Sequence, residues 1–338
     1  MVTSYGFKLY ELTVVRRDGR TPQPWKYKLG DDKTEHQSLD DIERVLVEHK
    51  STPEWGFPLG PDARPLTESE MKQRPVFRVE SVERVGDHCL LVGLRYGRHK
   101  DEDKGLPATD GVSEEIDLTD IAPTRIYRVA LFAPTTGEKG MMAFEQISNA
   151  CPSKYFMKWL RRWIMDSATD PDGYTNPDWR KLVAKPAMDP SLLKKYIEKA
   201  NADTVVLVQQ AVKGSRQRSS ERFRIQAAVF GNQSAAVTQL VGQAIVGDME
   251  EDGSDAQYAK ELASVLGTDL AGLEFDDGWV VMDTESGPQH ISPSRVPEIF
   301  FYPIGNERPS EFRFRERTKV EILRIRRSVG ATLAMDEW

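Results

Sequence analysis

Val76-Phe77-Arg78-Val79-Glu80-Ser81-Val82-Glu83-Arg84-Val85 is followed at once by Gly86-Asp87 and then by a second extended run, His88 to Tyr96. A chain that reverses over a Gly-containing pair between two extended runs is expected to lay the second strand antiparallel on the first. The device recurs: Arg125 to Ala133 and Met141 to Gln146 flank the turn-forming residues 134–140. Tyr5 to Arg16 supplies another strand, ended by Asp18-Gly19. The first ~150 residues are therefore expected to be mainly β and built of hairpins.

Two helices interrupt that pattern. Ser38 is expected to cap a helix whose Ile42, Val45, Leu46 and His49 share one face. From Ser153, Phe156, Trp159, Leu160, Trp163 and Ile164 recur at helical spacing, with Lys154, Lys158, Arg161 and Arg162 on the remaining positions. The expectation is a core-facing stripe with a solvated basic face; Trp beside Arg would also suit base stacking. Residues 97–115 are charged and glycine-bearing and predict a long loop.

A chain of 338 residues exceeds what one hydrophobic core usually serves. Prolines 171, 177, 186 and 190 cluster between Asp166 and Pro190, which places the domain connection at 166–190. The expected domains are 1–165, β-rich, and 191–338, mixed α+β with a mainly antiparallel sheet. In the latter, helices are predicted from Ser191, Ser234 and Ser254, where Gln257 completes a capping box and Gly267 stops the helix. Strands are predicted at Thr204–Val208, Phe223–Phe230, Trp279–Met282, Ile299–Tyr302 and Phe312–Arg324. The fold class is α+β.

The formal net charge is -7, yet two segments of the second half are strongly basic. One contains Lys213, Arg216, Arg218, Arg222 and Arg224; Gly214 and its serines make residues 213–220 a flexible finger between two strands. In the other, read as a strand, Phe312, Phe314, Val320 and Ile322 fall on one side and Arg313, Arg315, Arg317 and Lys319 on the other. Such a cation row could track a phosphate backbone, or simply face solvent on an open sheet. Acids gather elsewhere, at Asp248-Met249-Glu250-Glu251-Asp252 and from Asp269 to Glu285.

Catalytic and cofactor signatures are absent. The sequence has no phosphate-cradling Gly-rich loop, no Gly-x-Ser-x-Gly elbow and no His-x-x-x-His or Cys-x-x-Cys pair. His36, His49, His88, His99 and His290 are scattered. Glu274, Asp276, Asp277, Asp283 and Glu285 flank Trp279–Met282 and could hold Mg²⁺ for phosphodiester cleavage, but that strand lacks the acid-x-Lys step; Glu48-His49-Lys50 has the spacing on a predicted helix. Two cysteines, Cys89 and Cys151, no run of about 18 apolar residues and no signal-peptide core at the start predict a cytoplasmic protein.

The β-rich front and the usage of Arg, Asp, Gly and Val resemble those of bacterial accessory proteins of phage-defence or mobile-element loci. The expected function is non-catalytic binding of DNA or RNA, or of a nucleic-acid-handling protein, through the two basic segments. No cofactor or metal is expected in that reading. The alternatives are a Mg²⁺-dependent nuclease using the acids around Trp279 and a structural subunit of a homo- or hetero-oligomer.

Overall fold

In a computed structural model the described residues are 3–17, 19–29, 34–60, 63–99, 104–105, 116–118, 120–176, 179–189, 192, 202–210, 221–229, 231–246, 254–266, 277–284, 287–291 and 300–338. The fold is α+β with a large, mainly antiparallel sheet. The chain divides into two compact units, one of residues 1–187 with 301–338, the other of 188–300.

The first unit starts with β1 (Tyr5–Arg16), β2 (Pro22–Gln23), β3 (Lys26–Leu29), β4 (Thr34–Gln37) and α1 (Ser38–Glu48). Then come β5 (Pro53–Trp55), α2 (Glu68–Lys72), β6 (Val76–Val85), β7 (Cys89–Gly97) and the short pair β8 (Lys104–Gly105) and β9 (Ile116–Asp117). β10 (Thr124–Phe132), β11 (Lys139–Ile147), α3 (Ser153–Ser167) and β12 (Arg180–Pro186) follow. The two hairpins expected from the turn residues form, β6 on β7 and β10 on β11, both antiparallel. The nine-stranded sheet runs β12-β1-β11-β10-β7-β6-β5 along its main path.

Period-two alternation gives this sheet two apolar faces. Leu12, Phe77, Leu94, Val129 and Phe144 meet Ile42, Val45 and Leu46 of α1 and Phe156, Leu160 and Trp163 of α3 in one core. The helical stripe on α3 packs inward as its spacing predicted. Ser38 does begin α1, but its hydroxyl caps nothing: the cap residue is Gln37, without a side-chain cap. On the sheet's other face lie Phe7, Phe132, Glu145 and Cys89. Burial pushes the Cys89 thiol up to about 12, so thiolate is scarce at neutral pH. Iodoacetamide at pH 8 is expected to label half-buried Cys151 in the folded protein and Cys89 only after unfolding; equal labelling of both by mass spectrometry would contradict this packing.

The second unit contains β13 (Ala202–Gln210), β14 (Glu221–Ala228), α4 (Asn232–Val246), α5 (Ser254–Val265), β15 (Asp277–Thr284) and β16 (Gly287–Ile291). Its antiparallel sheet runs β14-β13-β15-β16. Val205 to Val208 are buried, as are Val237 of α4 and Tyr258, Ala259 and Leu262 of α5.

Three sequence expectations are corrected. Arg180–Pro186 is a strand on the edge of the large sheet, paired with β1, and not a linker. The C-terminal residues belong to the first unit, where β17 (Tyr302–Gly305) also pairs with β1. Most consequentially, Phe312–Arg324 is no strand but part of α6 (Glu311–Val329). Its Ser310 side chain accepts from the Arg313 N–H at one end, and Gly330, at φ 77°, closes the other. Phe314, Thr318, Ile322, Ile325 and Val329 form its buried stripe. Phe314 meets Phe7 edge-on at 6.1 Å, and Trp338 meets Phe132 likewise at 4.8 Å.

Candidate nucleic-acid interface

Helical geometry dissolves the cation row read from the C-terminal segment. At ~100° per residue, Arg313 and Arg317 turn to one side of α6 and Arg315 and Lys319 to another. Each is engaged locally. Arg313 donates to the Ile304 carbonyl at 3.3 Å, and Arg317 lies 3.6 Å from Glu321. Arg315 lies 3.5 Å from Glu311 and 4.8 Å from the Trp338 ring centroid, and Lys319 donates to the Trp338 carbonyl at 3.2 Å. Arg315 and Lys319 thus hold the last residues against α6.

For the other basic segment, β13 and β14 pair antiparallel as expected. Lys213, Arg216 and Arg218, and the Arg222 side chain, lie outside the described residues. Arg224 is exposed on β14, its guanidinium 5.3 Å from the Trp279 ring centroid. Of the acids proposed for Mg²⁺, Glu274, Asp276 and Glu285 also lie outside the described residues, whereas Asp277 and Asp283 stand near opposite ends of β15. Among the described residues, no three His, Cys, Asp or Glu side chains gather as metal ligands.

The first unit instead assembles cations and aromatic rings that are far apart in sequence. Inward packing of Phe156, Leu160 and Trp163 turns Lys154, Lys158 and Arg161 outward, at i, i+4 and i+7, and all three are exposed. None of the three forms an ion pair among the described residues; the neighbouring acid Asp166 is bonded to Arg162 at 2.8 Å. Beside this row the chain leaves β5 through Gly56, which has φ +69°. A Cβ there would sit 3.0 Å from Arg74 Cδ and would be strained by the backbone. Trp159 Nε1–H donates to the Gly56 carbonyl at 2.9 Å, fixing the turn on α3.

That turn delivers Phe57 to the surface. Its ring stacks on Tyr155 at 4.3 Å and 10°, and Lys158 Nζ stands 4.1 Å from its centroid, yet 39% of Phe57 remains exposed. Tyr155 in turn lies 5.4 Å from Tyr96. Arg98 hydrogen-bonds the Tyr96 hydroxyl, and that of Tyr155 as well, contacts that favour its charged form. Burial pushes the Tyr96 phenol up. A hollow of about 250 Å³ between Phe57, Tyr155, Arg74 and Arg98 is bounded by Gln73 and Pro75. Arg125, opposite Tyr96 in the β7–β10 ladder, is exposed and adds a further cation.

The adjoining residues carry a second hollow of about 380 Å³, lined by Trp55, Arg78, Arg95 and His99 among others. Here Glu80 accepts from both Arg78, at 2.6 Å, and Arg95, at 2.8 Å, so one carboxylate offsets two guanidinium groups. Asp120 lines this hollow as well, so two carboxylates, Glu80 and Asp120, stand against Arg78 and Arg95. Chemically, the exposed α3 cations, which form no ion pair among the described residues, lie beside the part-exposed Phe57 ring, an arrangement suited to anions that carry planar groups.

Sequence reasoning found Lys154, Lys158 and Arg161 but read them as a solvated face. It missed Phe57, Arg74, Arg98 and Arg125. Each is unremarkable alone, and the sheet register that brings Arg125 to Tyr96 is not written locally. The one available signal was Phe57 in a Pro- and Gly-rich loop, where a large ring has no core to enter. A scan of protein-family models and searches of curated proteins and of solved structures find no match to this chain.

Proposed function

We propose that the protein binds single-stranded nucleic acid through the α3 cation row and the Phe57–Tyr155 stack. The observation that carries this reading is a part-exposed Phe57 stacked on Tyr155 and bordered by cations that pair with no carboxylate among the described residues. Lys154, Lys158 and Arg161 would neutralise successive phosphates, and a base would stack on Phe57 in place of the Lys158 ammonium that covers its ring, freeing that ammonium for a phosphate. Single strands are favoured over duplex because a stacking ring needs an unpaired base face. The role is binding without catalysis, in a cytoplasmic, bacterial setting as an accessory subunit of a defence or mobile-element assembly. Two free cysteines accord with a reducing compartment, and no helix among the described residues is long and apolar enough to cross a membrane. The basic segment Lys213 to Arg224 remains a second candidate contact for nucleic acid or a partner protein.

Phe57→Ala tests the stacking half of this reading. Base–aromatic stacking is worth about 1–3 kcal/mol per base, so affinity for a labelled single-stranded oligonucleotide is expected to fall about 5- to 150-fold. The salt dependence is expected to stay as in the wild type, since no charge is removed. Unchanged affinity by fluorescence anisotropy would remove Phe57 from the interface.

A further inference from the structure

The two hollows beside Phe57 differ in charge balance. In the larger one Glu80 and Asp120 stand against Arg78 and Arg95. The smaller one, of about 250 Å³, is lined by Arg74 and Arg98, and no Asp or Glu lines it. Neither of these arginines forms an ion pair among the described residues. Two positive charges therefore border a single hollow, with nothing in its lining to offset them.

Different elements hold the two side chains in place. Arg74 follows α2, and its aliphatic stem packs on the Gly56 turn, its Cδ 3.0 Å from where a Cβ of residue 56 would sit. The Gly56 N–H donates to the Pro75 carbonyl at 2.8 Å, so the backbone at the base of the hollow is cross-braced. Arg98 follows β7 and donates to the hydroxyls of Tyr96 and Tyr155. Those partners are neutral and leave its charge uncompensated. A guanidinium also has more N–H groups than these contacts use. Tyr155 lines the hollow as well, and while accepting from Arg98 it keeps its own O–H to donate.

Such a lining calls for an oxyanion that accepts several hydrogen bonds and carries more than one charge. A phosphate inside a strand is a diester with a single negative charge. A terminal phosphate monoester carries about -1.5 to -2 at pH 7 and presents three acceptor oxygens. Guanidinium groups suit it through paired N–H contacts.

We propose that this hollow seats the terminal phosphate monoester of a nucleic-acid strand whose end nucleotide stacks its base on Phe57. Arg74, Arg98 and the Tyr155 hydroxyl donate to the free phosphate oxygens. The inference rests on the single-strand reading above and adds to it a preference for a phosphorylated end.

The probe is one internally labelled single-stranded oligonucleotide, prepared unphosphorylated, with a 5′-phosphate, with a 3′-phosphate, and with each phosphate capped as its methyl ester. Anisotropy with the full chain is expected to show about fivefold tighter binding of at least one phosphorylated form than of the unphosphorylated one. The preferred form identifies the end that enters, and its methyl ester is expected to lose most of the advantage. Arg74→Gln and Arg98→Gln, which keep much of each stem and should unfold in urea as the wild type does, are each expected to cut the advantage to about twofold. The Lys154, Lys158, Arg161 triple alanine variant is expected to weaken all forms alike and keep the ratio. Equal affinity for phosphorylated and unphosphorylated forms would overturn the proposal while leaving the Phe57 interface standing. An advantage that the methyl ester retains, or that survives both glutamine substitutions, would overturn it too. Absence of binding by every form would instead remove the single-strand reading, and this inference with it.

Discussion

Arg128→Ala is expected to be the most destabilising single substitution of a charged residue in this chain, at about 3–5 kcal/mol. The reason lies with its partner. Glu145 is fully buried on β11, and Arg128 on the neighbouring strand approaches it twice, with Nη1 at 3.2 Å and the backbone N–H at 2.9 Å. Burial pushes the Glu145 carboxyl up, and Arg128 opposes that push. The same guanidinium donates to the Pro309 carbonyl at 2.8 Å and lies 5.6 Å from the Phe314 ring centroid. It therefore ties the C-terminal helix to the sheet while balancing a buried charge. Alanine keeps the backbone contact and the more distant charge of Arg308 but removes the guanidinium that faces the carboxylate.

The pH dependence of that loss follows from the direction of the shift. A carboxyl raised in the folded state binds its proton more tightly folded than unfolded, so folding gains from its protonation as pH falls through the folded value. Removing Arg128 raises Glu145 further. The gap between variant and wild type should thus narrow from pH 8 to pH 5, and Arg128→Ala with Glu145→Gln should be less damaged than Arg128→Ala alone. Urea unfolding at the two pH values measures both. A gap that widens toward pH 5 would contradict the assignment of the loss to a stranded carboxylate.

The second large effect concerns binding. Replacing Lys154, Lys158 and Arg161 together by alanine is expected to weaken single-stranded oligonucleotide binding on the order of 100-fold, taking about 1 kcal/mol for each exposed charged contact. Because the three side chains are exposed and form no ion pair among the described residues, the variant should unfold at the wild-type urea concentration. Arg313→Ala with Arg317→Ala is the matched control. These two cations lie on α6, engaged with Ile304 and Glu321, and their removal is expected to leave affinity within about twofold. The opposite pattern would return the interface to the C-terminal segment.

That segment shows where sequence reading stopped and why. Alternation of Phe312 and Phe314 with Arg313, Arg315 and Arg317 looks like a strand for the first few residues. Extended to Val329, the apolar positions Phe314, Ile322, Ile325 and Val329 keep helical spacing, and Ser310 and Gly330 mark the two ends. The short window hid the longer period. Tyr5–Arg16 was legible to the residue, as an extended apolar and aromatic run ended by a turn. So was the packed face of α3, where five large apolar side chains repeat over about two and a half turns. The position of the C-terminal helix was not legible, because β17 reaches β1 across nearly the whole chain length and nothing local specifies that pairing.

The candidate interface divides in the same way. Its helical part, Lys154 to Arg161, is encoded locally and could be read directly. Phe57 arrives through the left-handed Gly56 turn and a Trp159 hydrogen bond, and Arg125 through strand register. Those are consequences of tertiary structure.

The central claim is tested most directly by the affinity of the full chain for a labelled single-stranded oligonucleotide, measured by anisotropy across a series of salt concentrations. For single strands log K falls with log salt at ~0.7 per phosphate neutralised. Engagement of the α3 row with its neighbours Arg74, Arg98 and Arg125 predicts a slope between about -2 and -4, reduced in magnitude by about 2 in the Lys154, Lys158, Arg161 triple variant. A slope near zero, or the same slope in both proteins, would contradict it.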